Sequence, residues 1–356
     1  AFIPSSLPIG TISSVVNPTC EYWRKLIEKG VPLIKRELLA QNGRNVALTD
    51  WAKELECRGY PLDLIFRYFW RRGIDVTPTL CSGVTSGRWP ADVLSLQLSP
   101  DAPQEKYLDR ANCSIGVFIH IFYPELLCEL KQYIKNIPQI AHIYVSTDTQ
   151  TKANIIREAL EDMGFSKLNI SIFPNKGWDI APFIVGFANE IQKYDLILKI
   201  HAKRSTQMSK ELSDNWRKIL FSSLIGSQKK VNTILNLFIC NPKLGMLCPP
   251  PVAHYANCIN MAGNMNMMQR LLMPFGIKLL PDTAIDFPMG SMFWCRPKTV
   301  MPWIEQHLTF SDFELTNPNQ RDGSLAHALE RLFFFGCGIS GFHWGRIAPT
   351  NCTMLT

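Results

Sequence analysis

Short apolar runs alternate with amphipathic segments between residues 115 and 201, and this alternation constrains the fold more than any other feature of the chain. The apolar runs 115–122, 141–145, 169–173 and 196–200 have the length of buried strands, and the segments between them have helical periodicity. Strands and helices that alternate in this way form right-handed crossovers. The sequence therefore predicts an α/β fold with a mostly parallel sheet that carries helices on both faces.

Polar side chains follow each of these predicted strands. Because ligands of open parallel sheets bind beyond the carboxyl ends of the strands, we expect these side chains to line one rim. The predicted rim residues are His120, Tyr123, Thr147, Asp148, Asn175, Lys176, Asp179, Lys199, His201 and Lys203. Their lysines, together with Arg204, would form a positive pocket that suits a diphosphate.

Asp179 has two interpretations. Its carboxylate would accept hydrogen bonds from sugar or ribose hydroxyls if the rim binds a nucleotide. In the second interpretation it caps the helix predicted over 181–193, since Asp before a Pro-containing first turn is a common helix start, and the lysines are ordinary surface residues.

The sequence before residue 106 differs from the rest in its residue pattern and composition. Helical periodicity dominates residues 19–72, and residues 76–111 are rich in Pro, Ser, Gly and Thr. We predict a helical subdomain with a linker over 1–105 and the α/β domain over 106–356. A chain that begins with Ala1 is what a processed form, or a piece cut from a longer polypeptide, would show.

Composition narrows the functional class. The formal net charge of +7 suits anionic small molecules, nucleic acid or an acidic membrane surface, but no nucleic-acid-binding motif is present. The 11 cysteines include no C-x-x-C pair, which favours buried thiols in a reducing cytosol over a zinc site or a disulfide framework. No apolar run reaches the roughly 20 residues of a membrane-spanning helix.

Two late segments carry further polar groups. Residues 286–296 are predicted to form a glycine-containing turn that enters an apolar strand, and residues 322–331 a turn that enters a helix. On that helix His327, Glu330 and Arg331 share a face, and a carboxylate beside a histidine is what general-base catalysis needs. An ordinary ion network on the helix surface is the alternative.

Familiar catalytic loops are absent from the sequence. The chain has no phosphate-binding loop of the G-x-x-x-x-G-K-[ST] type, no G-x-G-x-x-G turn and no G-x-S-x-G elbow. Nucleoside-triphosphate hydrolases, dinucleotide-dependent dehydrogenases and serine hydrolases are therefore not indicated.

Four strings in this order resemble the rhamnan synthesis protein F family of bacterial polysaccharide biosynthesis. They are NKGWDIAPF at 175–183, YDLILKIHAKRS at 194–205, FPMGSMFWCRP at 287–297 and DGSLAHALER at 322–331. The segment GVPLIKRELL at 30–39 also resembles the part that precedes the catalytic region in such proteins. The resemblance covers nearly the whole chain.

The resemblance implies a glycosyltransferase of GT-A-like fold, a hexosyltransferase that moves L-rhamnose from dTDP-rhamnose onto a growing cell-surface polysaccharide such as an O-antigen. The rim residues would then bind the nucleotide-diphospho-sugar donor. The implied acceptor or sugar pocket consists of Gly290, Ser291, Trp294 and Arg331. In an inverting transfer Asp322 would be the catalytic base, with Glu330 as the second choice and His327 beside them.

One departure from the GT-A pattern bears on the mechanism. GT-A enzymes usually carry Asp-x-Asp after the fourth strand to hold a divalent metal, and this chain has His201-Ala202-Lys203 there. Because Lys199 and Lys203 flank His201, we predict that fixed cations neutralise the departing diphosphate and that no metal or other cofactor is needed. A metal held by His201 with His327 or Asp322 is the alternative.

The implied acceptor is a lipid-linked or growing glycan. We therefore expect a cytoplasmic protein that attaches peripherally to the inner face of the cytoplasmic membrane, which suits the +7 charge. Two alternatives stay open: a non-catalytic module that binds sugar nucleotides or glycans within a larger polysaccharide synthase, and a transferase of a different sugar.

Overall fold

The computed structural model describes residues 95–96, 113–202, 210–251, 259–281, 285–317 and 322–347. Its strands are β1 (Ser95–Leu96), β2 (Ile115–Ile121), β3 (His142–Thr147), β4 (Lys167–Ile172), β5 (Leu196–Ala202), β6 (Leu244–Cys248), β7 (Phe293–Cys295) and β8 (His343–Ile347). They form one sheet in the order β1-β8-β6-β7-β5-β2-β3-β4. Every neighbouring pair is parallel except the two pairs made by β7, so the predicted mostly parallel sheet is confirmed.

Helices cover both faces of the sheet. They are α1 (Leu127–Ile134), α2 (Gln150–Leu160), α3 (Ala188–Ile191), α4 (Lys210–Ile225), α5 (Gln228–Cys240), α6 (Met265–Leu272), α7 (Met301–Ile304) and α8 (Leu325–Ile339). The first core layer holds apolar residues of α1, α2, α4 and α5, and the second holds those of α3, α6, α7 and α8. Because side chains alternate along a strand, Val117 of β2 packs into the first layer and Phe118 into the second.

Helix starts follow local capping signals. The hydroxyls of Thr149, Ser227 and Ser324 accept a backbone N–H in the first turn of α2, α5 and α8, respectively. Such caps satisfy one of the backbone donors that a helix start leaves unpaired, and each is worth about 1 kcal/mol. These three helix starts are therefore encoded by residues next to them in the sequence.

The helix predicted over 181–193 has a different form. A π-helical turn over Pro182–Gly186 precedes the short helix α3, and the Phe187 N–H donates to the Pro182 carbonyl five residues back. A Cβ at Gly186 would lie 2.5 Å from the Phe173 ring, so the chain needs glycine where it passes this ring. Single π-turns are frequent at functional sites, and this one follows Asp179 closely.

The predicted helical subdomain falls mostly outside the described residues. Of residues 1–105 only the backbone of Ser95–Leu96 is described, and it pairs with Arg346 and Ile347 of β8. The sheet therefore includes a strand from before the predicted boundary at 105, and the division of the chain there stays a prediction.

Two glycines of α8 allow a matched test of the packing around this helix. A Cβ at Gly336 would collide with the Thr299 carbonyl oxygen and lie 2.8 Å from Trp303 Nε1, whereas a Cβ at Gly338 would have nothing within 4 Å. We expect Gly336→Ala to lower the free energy of unfolding by about 1–3 kcal/mol through overpacking. We expect Gly338→Ala to raise it by up to about 1 kcal/mol through helix propensity. Urea denaturation of both variants measures the difference, and equal stabilities would contradict the packing described for α8.

Candidate active site

A buried ion pair between Asp179 and Lys199 lies at the centre of the site. Lys199, in β5, is only 2% exposed, and its Nζ donates to Asp179 Oδ2 at 2.5 Å. The same Nζ donates to the carbonyl oxygen and to the hydroxyl oxygen of Ser291, each at 2.8 Å. Because an ammonium group has three N–H donors, these three acceptors use all of them.

Two left-handed turns carry the acceptors of Lys199. The φ angles are 63° and 57° at Gly177 and Trp178, and 84° and 54° at Gly290 and Ser291. A left-handed φ costs a residue with a side chain about 1–2 kcal/mol, and such strain collects at functional sites. A Cβ at Gly177 would also lie 2.6 Å from the Ala181 Cβ, so the first turn needs glycine for space as well as for conformation.

A small pocket with room for about one water molecule lies beside this ion pair and is partly open to solvent. Polar groups come from His120 and Ser146, whose Nδ1 and Oγ atoms lie 3.0 Å apart, and the rings of Phe183 and Phe187 add an aromatic wall. We call this space the ion-pair pocket. A few convergent polar groups within an apolar lining are typical of sites for small molecules.

A second polar group of residues, the Asp322 cluster, lies at the start of α8. Asp322 Oδ2 accepts from Arg331 Nη2 at 3.0 Å, and Oδ1 accepts from the side chain of Asn264 at 2.5 Å and from the Gly323 N–H at 3.0 Å. A carboxylate oxygen can accept two hydrogen bonds. Among the described residues Oδ2 accepts one, so it retains the capacity to bind a hydroxyl group.

His327 connects the Asp322 cluster to the loop before Asp179. Its Nδ1 lies 2.6 Å from the hydroxyl of Ser324, and its carbonyl oxygen accepts from Arg331 Nη1 at 3.0 Å. The imidazole lies beside the indole of Trp178, with ring centroids 6.2 Å apart and planes at 58°. Glu330 is half-buried on the same helix.

The structure brings most of the predicted site residues into two contiguous groups. His120, Asp179, Lys199, His201, Gly290 and Ser291 surround the ion pair, and Asp322, His327 and Arg331 form the second group. His201 is 7% exposed, and its Nε2 lies 2.8 Å from the Gly290 carbonyl oxygen. The turn before β7 reaches the end of β5 because β7 runs antiparallel to it.

Three predicted residues belong to the other face of the sheet. Trp294 is 0% exposed in the first core layer, and its Nε1 donates to the Leu224 carbonyl oxygen at 3.1 Å. Tyr123 packs against the same layer, and Thr147 points to that face because it alternates with Ser146. The structure therefore removes Trp294 from the predicted acceptor pocket.

The remaining rim residues lie outside both groups. Asp148 forms an ion pair with Lys152 at 2.7 Å. Asn175 is exposed, and Lys176 is half-buried in an isolated bridge with Leu315. Lys203 lies outside the described residues. The site roles predicted for these residues stay predictions.

One expectation needs correction. Lys199 was predicted to neutralise a bound diphosphate directly, but Asp179 and Ser291 already use its three donors. The Asp179 carboxylate binds Lys199, and the alternative role of Asp179 as a helix cap stays a prediction. Both residues hold the two strained turns together.

No sequence pattern indicates three of the residues that the structure places in the site. Ser146 neighbours the predicted Thr147, and a shift of one residue along a strand decides which face a side chain reaches. Asn264, 0% exposed, contacts Asp322 across 58 residues of sequence. Trp178 lies inside a predicted loop, where nothing in the pattern indicates the direction of its ring.

Within the ranges that can be described, no three His, Cys, Asp or Glu side chains are placed so that they could hold a metal ion. The alternative of a metal held by His201 with His327 or Asp322 involves two ligands and stays a prediction.

The fold and the site together define an α/β protein with a pocket at the carboxyl edge of a mostly parallel sheet, where ligands of such folds bind. Residues 11–337 match the family model described as "Rhamnan synthesis protein F". The chain belongs to this family, which confirms the resemblance seen in the sequence.

Two relatives with a similar sequence are both called "Uncharacterized protein WxcX" and come from two strains of Xanthomonas campestris pv. campestris. Each is 32% identical to this chain over 243 residues, which cover 67% of this chain and 32% of the relative. The chain thus spans about a third of the length of these curated relatives.

Among solved structures, the mannosyltransferase PcManGT from Pyrobaculum calidifontis, in complex with GDP-Man and Mn2+, has a TM-score of 0.37 and 10% sequence identity to this chain. The alignment covers 84% of this chain and 66% of the mannosyltransferase. A score this low supports no statement about the fold, metal or substrate of this protein.

The buried ion pair can be tested by a double-mutant cycle. We expect Lys199→Met and Asp179→Asn each to lower the free energy of unfolding by about 3–5 kcal/mol, because each leaves a buried polar partner uncompensated. In the double variant the loss should be smaller than the sum of the single losses by at least about 2 kcal/mol. Urea denaturation measures all three variants.

The surface pair of Lys193 and Glu190 supplies the control for this cycle. The Lys193 side chain is 55% exposed, so Lys193→Met should change stability by less than about 0.5 kcal/mol. Additive losses for Lys199→Met and Asp179→Asn would show that the two side chains are not energetically coupled.

Proposed function

We propose that this protein is a glycosyltransferase of polysaccharide synthesis that uses a nucleotide-diphospho-sugar donor. One observation carries the proposal. In a member of the rhamnan synthesis protein F family, strands β2, β3 and β5 and the strained turn before Asp179 bring His120, Ser146, Lys199 and Asp179 to one pocket at the ligand-binding edge of the sheet. Polar groups at the floor and aromatic rings at the wall suit a ligand that is partly charged and partly a ring.

The donor that we propose is dTDP-L-rhamnose, and the acceptor is a growing or lipid-linked glycan. The family description names rhamnan synthesis, which supports rhamnose over other sugars. In this assignment the donor binds at the opening of the ion-pair pocket, and the Asp322 cluster receives the acceptor hydroxyl.

The proposed transfer inverts the anomeric centre. The acceptor oxygen attacks the anomeric carbon, the bond from that carbon to the diphosphate oxygen breaks, and its electron pair leaves with the diphosphate. Asp322 takes the hydroxyl proton as general base, since Arg331 and Asn264 fix its carboxylate and Oδ2 can accept a further hydrogen bond. Glu330 on the same helix is the second choice.

The departing diphosphate needs compensating charge. The direct role of Lys199 is replaced by an indirect one, in which its ammonium holds Asp179 and Ser291 in place. Lys176, Lys203 and Arg204 are the remaining predicted cations, and we propose that they, rather than a metal, bind the diphosphate.

No helix within the described parts of the chain combines the length and the apolar character needed to cross a bilayer. We propose cytoplasmic action with peripheral attachment to the inner membrane face. The net charge of +7 supports this, because anionic lipids attract basic proteins.

One observation favours a second function. Lys199 and Asp322 both have partners within the protein, as they would in a module that binds a sugar nucleotide or glycan without turning it over. Such a module would position substrates for another part of a larger synthase.

A donor panel tests the proposed activity. The full 356-residue chain is incubated with dTDP-L-rhamnose, UDP-glucose or GDP-mannose, with methyl α-L-rhamnopyranoside as acceptor and EDTA present. We expect acceptor-dependent release of a nucleoside diphosphate only from dTDP-L-rhamnose, and not from the other two donors. The rate should be the same with and without EDTA.

The other outcomes of the panel assign the function differently. Binding of a donor without turnover would support the binding module, and turnover of another donor alone would exclude rhamnose. Loss of activity in EDTA with recovery in Mg2+ or Mn2+ would show that a metal, and not fixed cations, holds the diphosphate.

Matched carboxamide variants test the base. We expect Asp322→Asn to lower kcat by about 10²–10⁴-fold with unchanged donor affinity, because the proton acceptor is lost. Glu330→Gln should change kcat by less than about threefold if Asp322 is the base. Steady-state kinetics measure both. Wild-type turnover by Asp322→Asn would rule this residue out.

A further inference from the structure

We propose that Trp178 and His327 form a subsite that binds a pyranose ring of the acceptor glycan, next to Asp322. This inference rests on the proposed glycosyl transfer and specifies where its acceptor lies. Neither binding of the diphosphate nor proton transfer to a base requires an aromatic side chain at position 178.

The backbone of Trp178 is the first observation. Its φ of 57° is left-handed, which is a genuine outlier for a bulky residue and costs about 1–2 kcal/mol. A glycine would adopt the same conformation without this cost. A large aromatic side chain in a strained position indicates that the direction of the ring is functional.

The segment 314–316 holds the strained turn by hydrogen bonds. The Gly177 N–H donates to the Glu314 carbonyl at 3.3 Å, and the Trp178 N–H donates to the hydroxyl of Thr316 at 3.4 Å. The Thr316 N–H in turn donates to the Asn175 carbonyl at 3.2 Å. These hydrogen bonds fix the backbone up to Trp178, and the ion pair of Asp179 with Lys199 fixes the residue that follows it. The backbone position from which the indole projects is therefore fixed on both sides.

The two rings form an angled pair. Their centroids are 6.2 Å apart and their planes meet at 58°, so they are tilted and not stacked on each other. Ser324 orients the imidazole through its contact with Nδ1 at 2.6 Å. A pyranose has faces of C–H groups and a rim of hydroxyls, and the negative face of an aromatic ring attracts such C–H groups.

The position of His327 assigns the subsite to the acceptor. Its carbonyl oxygen accepts from Arg331, and Arg331 pairs with Asp322, so hydroxyls of a sugar held by the rings would meet a guanidinium and a carboxylate. The ion-pair pocket has its own aromatic wall of Phe183 and Phe187, and Trp178 does not line it. A sugar at Trp178 therefore lies beside the proposed base and outside the proposed donor pocket.

The test separates acceptor binding from donor binding. Trp178→Ala, Trp178→Phe and the control Leu315→Ala are compared, with methyl α-L-rhamnopyranoside as acceptor and dTDP-L-rhamnose as donor. Leu315 is 73% exposed on the segment that borders the turn, so its truncation removes apolar surface near the turn and leaves both rings in place. Urea denaturation confirms that each variant is folded.

We expect Trp178→Ala to raise the acceptor KM by about tenfold while the donor Kd stays within twofold. Trp178→Phe should keep the acceptor KM within about threefold of the wild type, because it retains an aromatic face, and Leu315→Ala within twofold. An unchanged acceptor KM in Trp178→Ala would overturn the proposal. A raised donor Kd would overturn it as well, since the ring would then belong to the donor site.

If no donor is turned over, the proposed transfer fails and the subsite is still testable. Saturation-transfer NMR then measures binding of methyl α-L-rhamnopyranoside to the wild type and to Trp178→Ala. A signal from the wild type that Trp178→Ala loses would support the subsite in a glycan-binding module. No signal from the wild type, or an equal signal from both proteins, would reject it.

Discussion

Removing an ammonium and a carboxylate from water costs several kcal/mol per ion, and the site depends on how the protein offsets this cost at Lys199 and Asp179. The offset comes from direct pairing together with two further acceptors on Ser291. Asp179 follows one left-handed turn and Ser291 lies in another, more than a hundred residues later in the chain. The ion pair therefore joins two segments that no local interaction would bring together. The charged groups of Lys199 and Asp179, which the sequence predicts at a ligand-binding rim, therefore stabilise the structure of that rim.

The sheet could be predicted from the sequence because its signals are local. Strands such as β2 and β5 are mostly apolar and are buried on both faces, and the caps Thr149 and Ser324 stand next to the helices they begin. The rim position of His120, Asp179 and Lys199 follows from strand order alone. The role of each side chain does not follow from strand order. The same sequence pattern would be seen if Lys199 bound a diphosphate and if it were a buried partner of Asp179.

The rest of the site depends on contacts between distant segments. Trp294 was placed with Gly290 and Ser291 because they are neighbours in sequence, but strand alternation sends its ring into the opposite core layer. Asn264 reaches Asp322 through the packing of α6 against α8, and no short motif encodes that packing. The π-turn after Asp179 likewise reflects the Phe173 ring beside Gly186, which helical periodicity does not reveal.

The single antiparallel strand of the described sheet has a consequence for how such a site can diversify. Because β7 runs against β5 and β6, the chain enters the ligand-binding edge ahead of this strand, through the turn at Gly290 and Ser291. Residues added upstream of that turn would change the surface beside the ion pair while the three-residue ladder of β7 kept its register. Substrate preference and sheet architecture are thus separable within one chain, and a new specificity needs no new fold.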